Sequence, residues 1–452
     1  MFSKDYVRHY KEHIILSLPV AVSQLGHIVV GMVDTIKAGS IGSSSLASAA
    51  IATSVFIPFL MLGIGISYGA TSLIAKADGA GDKEEIRTIF KHSLALNLIL
   101  SIFLFVILYN CSFVLRLLQQ PKEVVEASIP FAEWLAWSIL PLMLFQTFKQ
   151  FAEGLSYTRG AMIISIASVL VNVLLIYVFT DGWFGIVPMG LNGIAIATLI
   201  ARSLMAIAMV LLVLTNNTFI VYIKGFTSIP YQFNKFKDLL WISLPIGLQM
   251  VFESGAFGFA AIMVGWLGAG EIAAHQIALT MAAFTYMGAT GIAASATVRV
   301  GNELGKKDYV QLKKAGYSAM VLVFGYMAVT ATLFVLLRFY LPTLFIKEQE
   351  VIEMISSLLL IAAFFQLSDG IQVVSFGALR GMGDVIIPTT AVLVAYYVIG
   401  LPLGYWLAFN RQIGIEGVWY GLSLGLIFVS IFLFLRFRIK AGKLIKSAQT
   451  VE

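Results

Sequence analysis

The chain is a succession of long apolar runs separated by short breaks rich in glycine, proline, asparagine or charge. Stretches such as Leu94 to Leu108 and Ala319 to Leu337 hold no charged residue at all. About 20 such residues in a helix cross a hydrocarbon core ~30 Å thick, so runs on this scale predict membrane-spanning helices. Twelve emerge, at 14–36, 46–75, 93–115, 129–150, 161–180, 192–215, 239–266, 272–298, 316–341, 351–377, 385–408 and 416–437. Several exceed the minimum length, which allows tilt or extension beyond the bilayer without fixing an angle.

The order of the runs repeats. At one constant offset Ser17-Leu18-Pro19 falls on Ser243-Leu244-Pro245, and without a gap the same offset pairs Ala47 with Ala273, Ile51 with Ile277, Met61 with Met287 and Gly65 with Gly291. It goes on to pair Ala70-Thr71 with Ala296-Thr297, Gly79 with Gly305 and Asp82 with Asp308; after a small gap Gly190 and Gly193 match Gly414 and Gly417. Each half holds six spans, so both halves start on the same side of the membrane and the repeats are parallel, related by a pseudo-twofold axis along the membrane normal. The predicted fold is therefore an all-α polytopic membrane protein of twelve transmembrane helices in two six-helix lobes, 1–215 and 239–452, joined by a cytoplasmic linker at 216–238.

Composition sharpens this picture. The chain is 59% hydrophobic and only 12% charged, where a soluble domain carries about 25% charge. A single cysteine, Cys111, excludes an intrachain disulfide framework and a multi-cysteine metal site, and the five histidines show no HExxH-like spacing. The net charge of +6 does not point to nucleic acid, because the basic residues sit beside hydrophobic spans rather than on one basic face. The first dozen residues mix acids and bases, unlike a cleaved signal peptide, so the N-terminus reads as retained. With it in the cytoplasm, most of the 30 Lys and Arg fall in cytoplasmic segments, which predicts both termini inside.

A carboxylate at bilayer depth costs at least ~2.5 kcal/mol and needs a partner, a proton or a bound cation. Three qualify: Asp34 in span 1, Glu253 in span 7 and Asp369 in span 10. For Asp34 a structural alternative exists, since Lys37 lies three residues on and could pair with it near the outer interface. Asn172 and Thr198 supply neutral oxygens that could complete a cation or proton site with Asp34, or serve only as packing contacts. Glu253 and Asp369 share a half and have no Lys or Arg close by in their own spans, so proximity would force a shared proton or a captured Na⁺. Phe365, one turn before Asp369, could offer a ring face to a cation. His275 and Gln276 could hydrogen-bond a substrate or a carboxylate. Gly381-Met382-Gly383-Asp384 fits the GxGD pattern of intramembrane aspartyl proteases, but no Tyr-Asp pair supplies the second aspartate such enzymes need. An enzyme is not expected.

Four stretches carry a family resemblance: Met32-Val33-Asp34-Thr35, Ala273-Ala274-His275-Gln276-Ile277-Ala278, Arg299-Val300-Gly301-Asn302-Glu303-Leu304-Gly305 and Leu379-Arg380-Gly381-Met382-Gly383-Asp384. In this order and spacing, over nearly the whole chain, the sequence resembles the multidrug and toxic compound extrusion (MATE) family, most closely its NorM-type branch. The resemblance implies a V-shaped antiporter in a bacterial cytoplasmic (inner) membrane, exporting organic cations such as drugs and dyes by alternating access in exchange for Na⁺ or H⁺. It implies no cofactor beyond the coupling ion and a monomer in the lipid bilayer. It also implies cation coupling at Glu253 and Asp369, and coupling or drug binding at Asp34. Lys37 and Ile176 depart from the family pattern around Asp34, which shifts the expected coupling site toward the C-terminal pair. A related alternative is a flippase for lipid-linked saccharides; such proteins line their clefts with Arg and Lys, whereas the ionisable residues inside these spans are mostly acidic, Arg202 and the span-end Lys149 excepted. A receptor or scaffold that does not transport is disfavoured by the two-lobed repeat.

Overall fold

The computed structural model describes residues 4–117, 120–226 and 228–450. Met1, which opens the N-terminus read as retained, and Thr227 of the linker lie outside them. Among the described residues there is no strand, and twelve helices are long and apolar enough to cross a membrane. They are α1 (Lys4–Ile41), α2 (Ser43–Gly79), α3 (Lys83–Tyr109), α4 (Lys122–Gly154), α5 (Arg159–Asp181), α6 (Leu191–Thr215), α7 (Phe233–Gly265), α8 (Ala269–Gly305), α9 (Tyr309–Leu337), α10 (Gln349–Gly381), α11 (Ile386–Asn410) and α12 (Ile415–Gln449). The all-helical, twelve-span expectation is met. Most helices outrun their apolar stretch: α12 continues past Phe437 because Ala441, Lys443, Leu444 and Lys446 are good helix formers whether or not lipid surrounds them. Hydropathy also passes over two short helices, Ser112–Leu117 and Asn217–Ile223.

The repeat reappears as local devices. Asp82 caps α3 by accepting from the Glu85 N–H at 2.9 Å, and its repeat mate Asp308 caps α9 by accepting from the Gln311 N–H at 3.0 Å. Both satisfy an N–H that has no partner within its own helix. Gly190 and Gly414 precede α6 and α12 with φ of 54° and 76°, a left-handed turn that glycine enters without strain. Three residues on, a Cβ on Gly193 or Gly417 would lie 2.9 Å or 2.6 Å from the backbone of the preceding helix, so the matched pairs encode one turn and one close approach. Thr71 and Thr297 also act alike: each hydroxyl reaches the next-but-one long helix, Thr71 to the Gln150 side chain at 2.6 Å and Thr297 to the Gly377 carbonyl at 2.9 Å.

By packing, the described chain divides into two compact units: Met1–Ala21, Gly79–Gly81 and Leu248–Glu452 form one, Val22–Asp78 and Asp82–Gly247 the other. Helices α1 and α7 are each shared between them. Within the first unit, the start of α1 is fastened by buried His13, whose ring meets the Ser295 hydroxyl at 2.5 Å and the Ala315 carbonyl at 2.9 Å. Asp5 pairs with Lys314 at 2.5 Å, and Glu12 with Arg299. In the second unit the linker is clasped to α3: Lys91 donates to the Ile229 carbonyl at 2.7 Å and Glu85 pairs with Lys235 at 2.6 Å.

Helix α11 is not uniform. It winds as π-helix over Val394–Gly400 and Trp406–Asn410. Pro402 has no N–H and its ring presses on the carbonyl four residues back, and a widened turn before it relieves that crowding.

The two caps give a direct test. Asp308→Ala is expected to lower stability by about 1 kcal/mol, and Asp308→Ser to restore most of it; thermal unfolding of the purified protein in one detergent reads both.

Candidate cation site

Glu253 and Asp369 both lie in the unit that contains Leu248–Glu452, on α7 and α10. Glu253 is surrounded by donors. Gln249, one turn earlier on α7, donates to its Oε2 at 2.5 Å, while Tyr286 from α8 and Gln372 from α10 each donate to its Oε1 at 3.2 Å. Tyr396 of α11 donates in turn to the Gln372 Oε1 at 3.4 Å. Three donors on one carboxylate suit its charged form, which only accepts. Asp369 is buried, 8% exposed, and makes no side-chain hydrogen bond among the described residues. Asp369 lies one turn before Gln372 on the same face of α10, and Gln372 donates to Glu253, so the two acids flank one hydrogen-bonded network. Among the described residues no group of three or more His, Cys, Asp or Glu could hold a metal ion. A Na⁺ at these two carboxylates would take its remaining ligands from neutral oxygens, of which the Tyr286 hydroxyl and the Gln372 amide carbonyl are nearest in the network.

The other residues expected in this half are placed differently. Phe365 is buried and its ring tilts against Trp419 of α12, centroids 5.7 Å apart. His275 is buried beside it, its Nδ1 accepting from the Trp419 indole at 3.0 Å while Nε2 makes no hydrogen bond. Gln276, one position on, is exposed. Phe365, His275 and Trp419 thus form one packed cluster, apart from the hydrogen bonds around Glu253.

In the other unit Asp34 sits on α1 with Oδ1 buried and without a hydrogen bond. Lys37 is not its partner. Its ammonium pairs instead with Asp181 at the end of α5, at 2.6 Å, and lies 4.6 Å from the Tyr177 ring centre. The charged group acting on Asp34 is Arg202 of α6, which also donates to the Ser138 hydroxyl of α4 at 2.7 Å. Asn172 donates to Thr198 at 3.3 Å, leaving its own buried carbonyl oxygen without a donor. Farther along α4, fully buried Lys149 has Glu153 at 3.7 Å, one turn on.

Sequence reasoning missed the neutral partners Gln249, Tyr286, Gln372 and Tyr396. Spacing held part of the signal: Gln249 precedes Glu253 by four residues and Gln372 follows Asp369 by three, each on the face of its acid.

The family profile described as MatE matches residues 19–178 and 245–406. The chain is 32% identical over 442 residues to "Multidrug resistance protein MdtK" of Yersinia pseudotuberculosis, and 30% identical over 440 residues to "Multidrug resistance protein NorM" of Photobacterium profundum; 96% of this chain and of each relative is covered. Among solved structures it resembles a eukaryotic MATE transporter, AtDTX14, with a TM-score of 0.86 and 21% identity over 98% of this chain and 100% of that one. A MATE transporter in a straight conformation gives 0.89 and 22%, with 97% of both chains covered.

The pair on α4 generates a prediction. Lys149→Met alone strands a buried carboxylate and is expected to cost about 3–5 kcal/mol, whereas Lys149→Met with Glu153→Leu removes both charges and recovers most of it. Equilibrium unfolding in mixed micelles measures the three proteins.

Proposed function

The chain belongs to the multidrug and toxic compound extrusion (MATE) family, and on that premise we propose that it exports organic cations in exchange for Na⁺ or H⁺, coupled at Glu253 and Asp369. As a family member it is a multi-pass inner-membrane efflux transporter of small molecules and not an enzyme; it needs no cofactor. The flippase alternative has no support in these relatives, which carry multidrug names. The observation that carries the proposal is the half-buried Glu253 ringed by neutral donors, with buried Asp369, which has no hydrogen bond of its own among the described residues, one turn from the Gln372 that donates to Glu253.

Two carboxylates flanking one network inside a membrane resist being charged together without a compensating cation. Na⁺ or H⁺ entering from outside neutralises them, and an organic cation bound by the same charges is displaced. The ion moves the transporter between its two states only through the difference in its affinity for them, and alternating access follows from that difference. Gln249, Tyr286 and Gln372 hold the Glu253 carboxylate in place for either occupant. Asp34 is a subsidiary coupling or drug-binding group, for which Asn172 and Thr198, hydrogen-bonded to each other, would supply oxygens. His275, Gln276 and Phe365 remain auxiliary contacts in this proposal. The working unit is a monomer with both termini and the linker cytoplasmic, as the distribution of Lys and Arg favours.

Efflux of a fluorescent organic cation from energised vesicles, under Na⁺ and pH gradients imposed separately, tests the coupling. The wild type is expected to export under one gradient, and Glu253→Gln and Asp369→Asn each to lose at least tenfold in rate, the loss expected where about 1.4 kcal/mol or more of ion affinity disappears. Export that survives both substitutions rejects the C-terminal site.

A further inference from the structure

The last helix continues well past its apolar stretch, and the two sides of that extension differ. Its inner side is packed: Phe437 and Ala441 are fully buried, with Phe437 against Tyr317 of α9 at 5.9 Å between ring centres. Its outer side shows Leu435 and Ile439, 43% and 56% exposed, and beside and beyond them the exposed Arg438, Lys443 and Lys446. The extension holds five basic residues, and no acidic residue occurs between Gly417 and Val451. Two of the five share one countercharge, since Arg436 forks onto both carboxylate oxygens of Asp384 at 2.7 and 3.0 Å and Lys440 reaches the same group at 3.1 Å. Among the described residues Arg438, Lys443 and Lys446 make no ion pair.

We propose that the outer side of this extension, through Arg438, Lys443 and Lys446, binds the headgroup of an anionic phospholipid. Leu435 and Ile439 mark the level at which the helix leaves hydrocarbon. From Arg438 to Lys443 the axis rises about 7 Å, the depth of a headgroup layer ~5–8 Å thick, and Lys446 lies about 12 Å from Arg438, at the outer edge of that layer and within reach of its field. Cations at that level draw anionic lipid from the bilayer. The inner packing fixes the backbone of the helix, so only side-chain freedom is lost when the three charges bind. The Asp384 fork fastens the same helix to the turn that ends α10, the helix carrying Asp369, so a lipid seated here bears on the mechanics of that helix.

The test uses the full chain in nanodiscs of phosphatidylglycerol and phosphatidylcholine with matched acyl chains, with lipids retained on release counted by native mass spectrometry. The wild type is expected to retain phosphatidylglycerol preferentially, and Arg438→Gln, Lys443→Gln and Lys446→Gln to weaken that preference by about fivefold each. Lys443→Arg with Lys446→Arg keeps the charge and should keep the preference, whereas Lys122→Gln, an exposed charge elsewhere on the chain, should leave it unchanged. All the substituted side chains are exposed, and an unshifted thermal midpoint confirms folding. No preference in the wild type, or an equal one in the triple Gln variant, overturns the proposal.

Discussion

Inside a bilayer no water stands ready to hydrogen-bond a stranded amide or charge, and the architecture of this protein answers to that. Backbone groups are satisfied within helices, and where a helix must begin sharply a side chain takes over, as Asp82 and Asp308 do. Polar side chains turn inward and find one another: Thr71 meets Gln150, Asn97 meets Thr147, and Thr297 meets the Gly377 carbonyl. Where Pro402 removes a backbone donor, α11 widens its turn rather than exposing the break. The scaffold so built is rigid enough to hold a few charges where lipid would otherwise forbid them.

The two units spend that allowance differently. One concentrates acid: among the described residues Glu253 and Asp369 make no ion pair and the donors around Glu253 are all neutral, although Arg380 acts on Glu253 as Arg202 acts on Asp34. The other balances its charges, with Asp181 answering Lys37, Glu153 answering Lys149 and Arg202 acting on Asp34. Acid whose close partners are all neutral attracts a mobile cation more strongly than a set of ion pairs does. The duplicated scaffold therefore carries unlike interiors, and the glycine turns and aspartate caps that remain matched between the halves belong to the scaffold alone.

The spans were legible because apolar length alone marks a membrane helix, and the repeat because turn glycines and capping aspartates survive at one offset. The acids were legible because a carboxylate inside an apolar run has few ordinary explanations. Their neutral partners were not, since Gln249, Tyr286 and Gln372 read like any other polar residue between helices until the fold brings them to one carboxylate. For Lys37 helical spacing offers only Asp34, three residues away, as one alternative, while its partner Asp181 lies at the far end of another helix; spacing ranks only neighbours in sequence. Phe365 has the spacing to face a cation, and the ring it packs against, Trp419, comes from a helix that spacing along α10 cannot reveal. The π turns of α11 leave no trace in hydropathy, which records what a residue is and not which carbonyl its N–H reaches.

The spacing of Lys149 and Glu153 bears on how the protein is made. An ammonium and a carboxylate one turn apart on α4 meet as soon as that helix winds, before any neighbour is present. The helix can thus leave the insertion machinery carrying no net charge from this pair. Arg202 and Asp34 enjoy no such shelter, because they arrive on α6 and α1 and each must enter lipid, or wait at its edge, until the other is delivered.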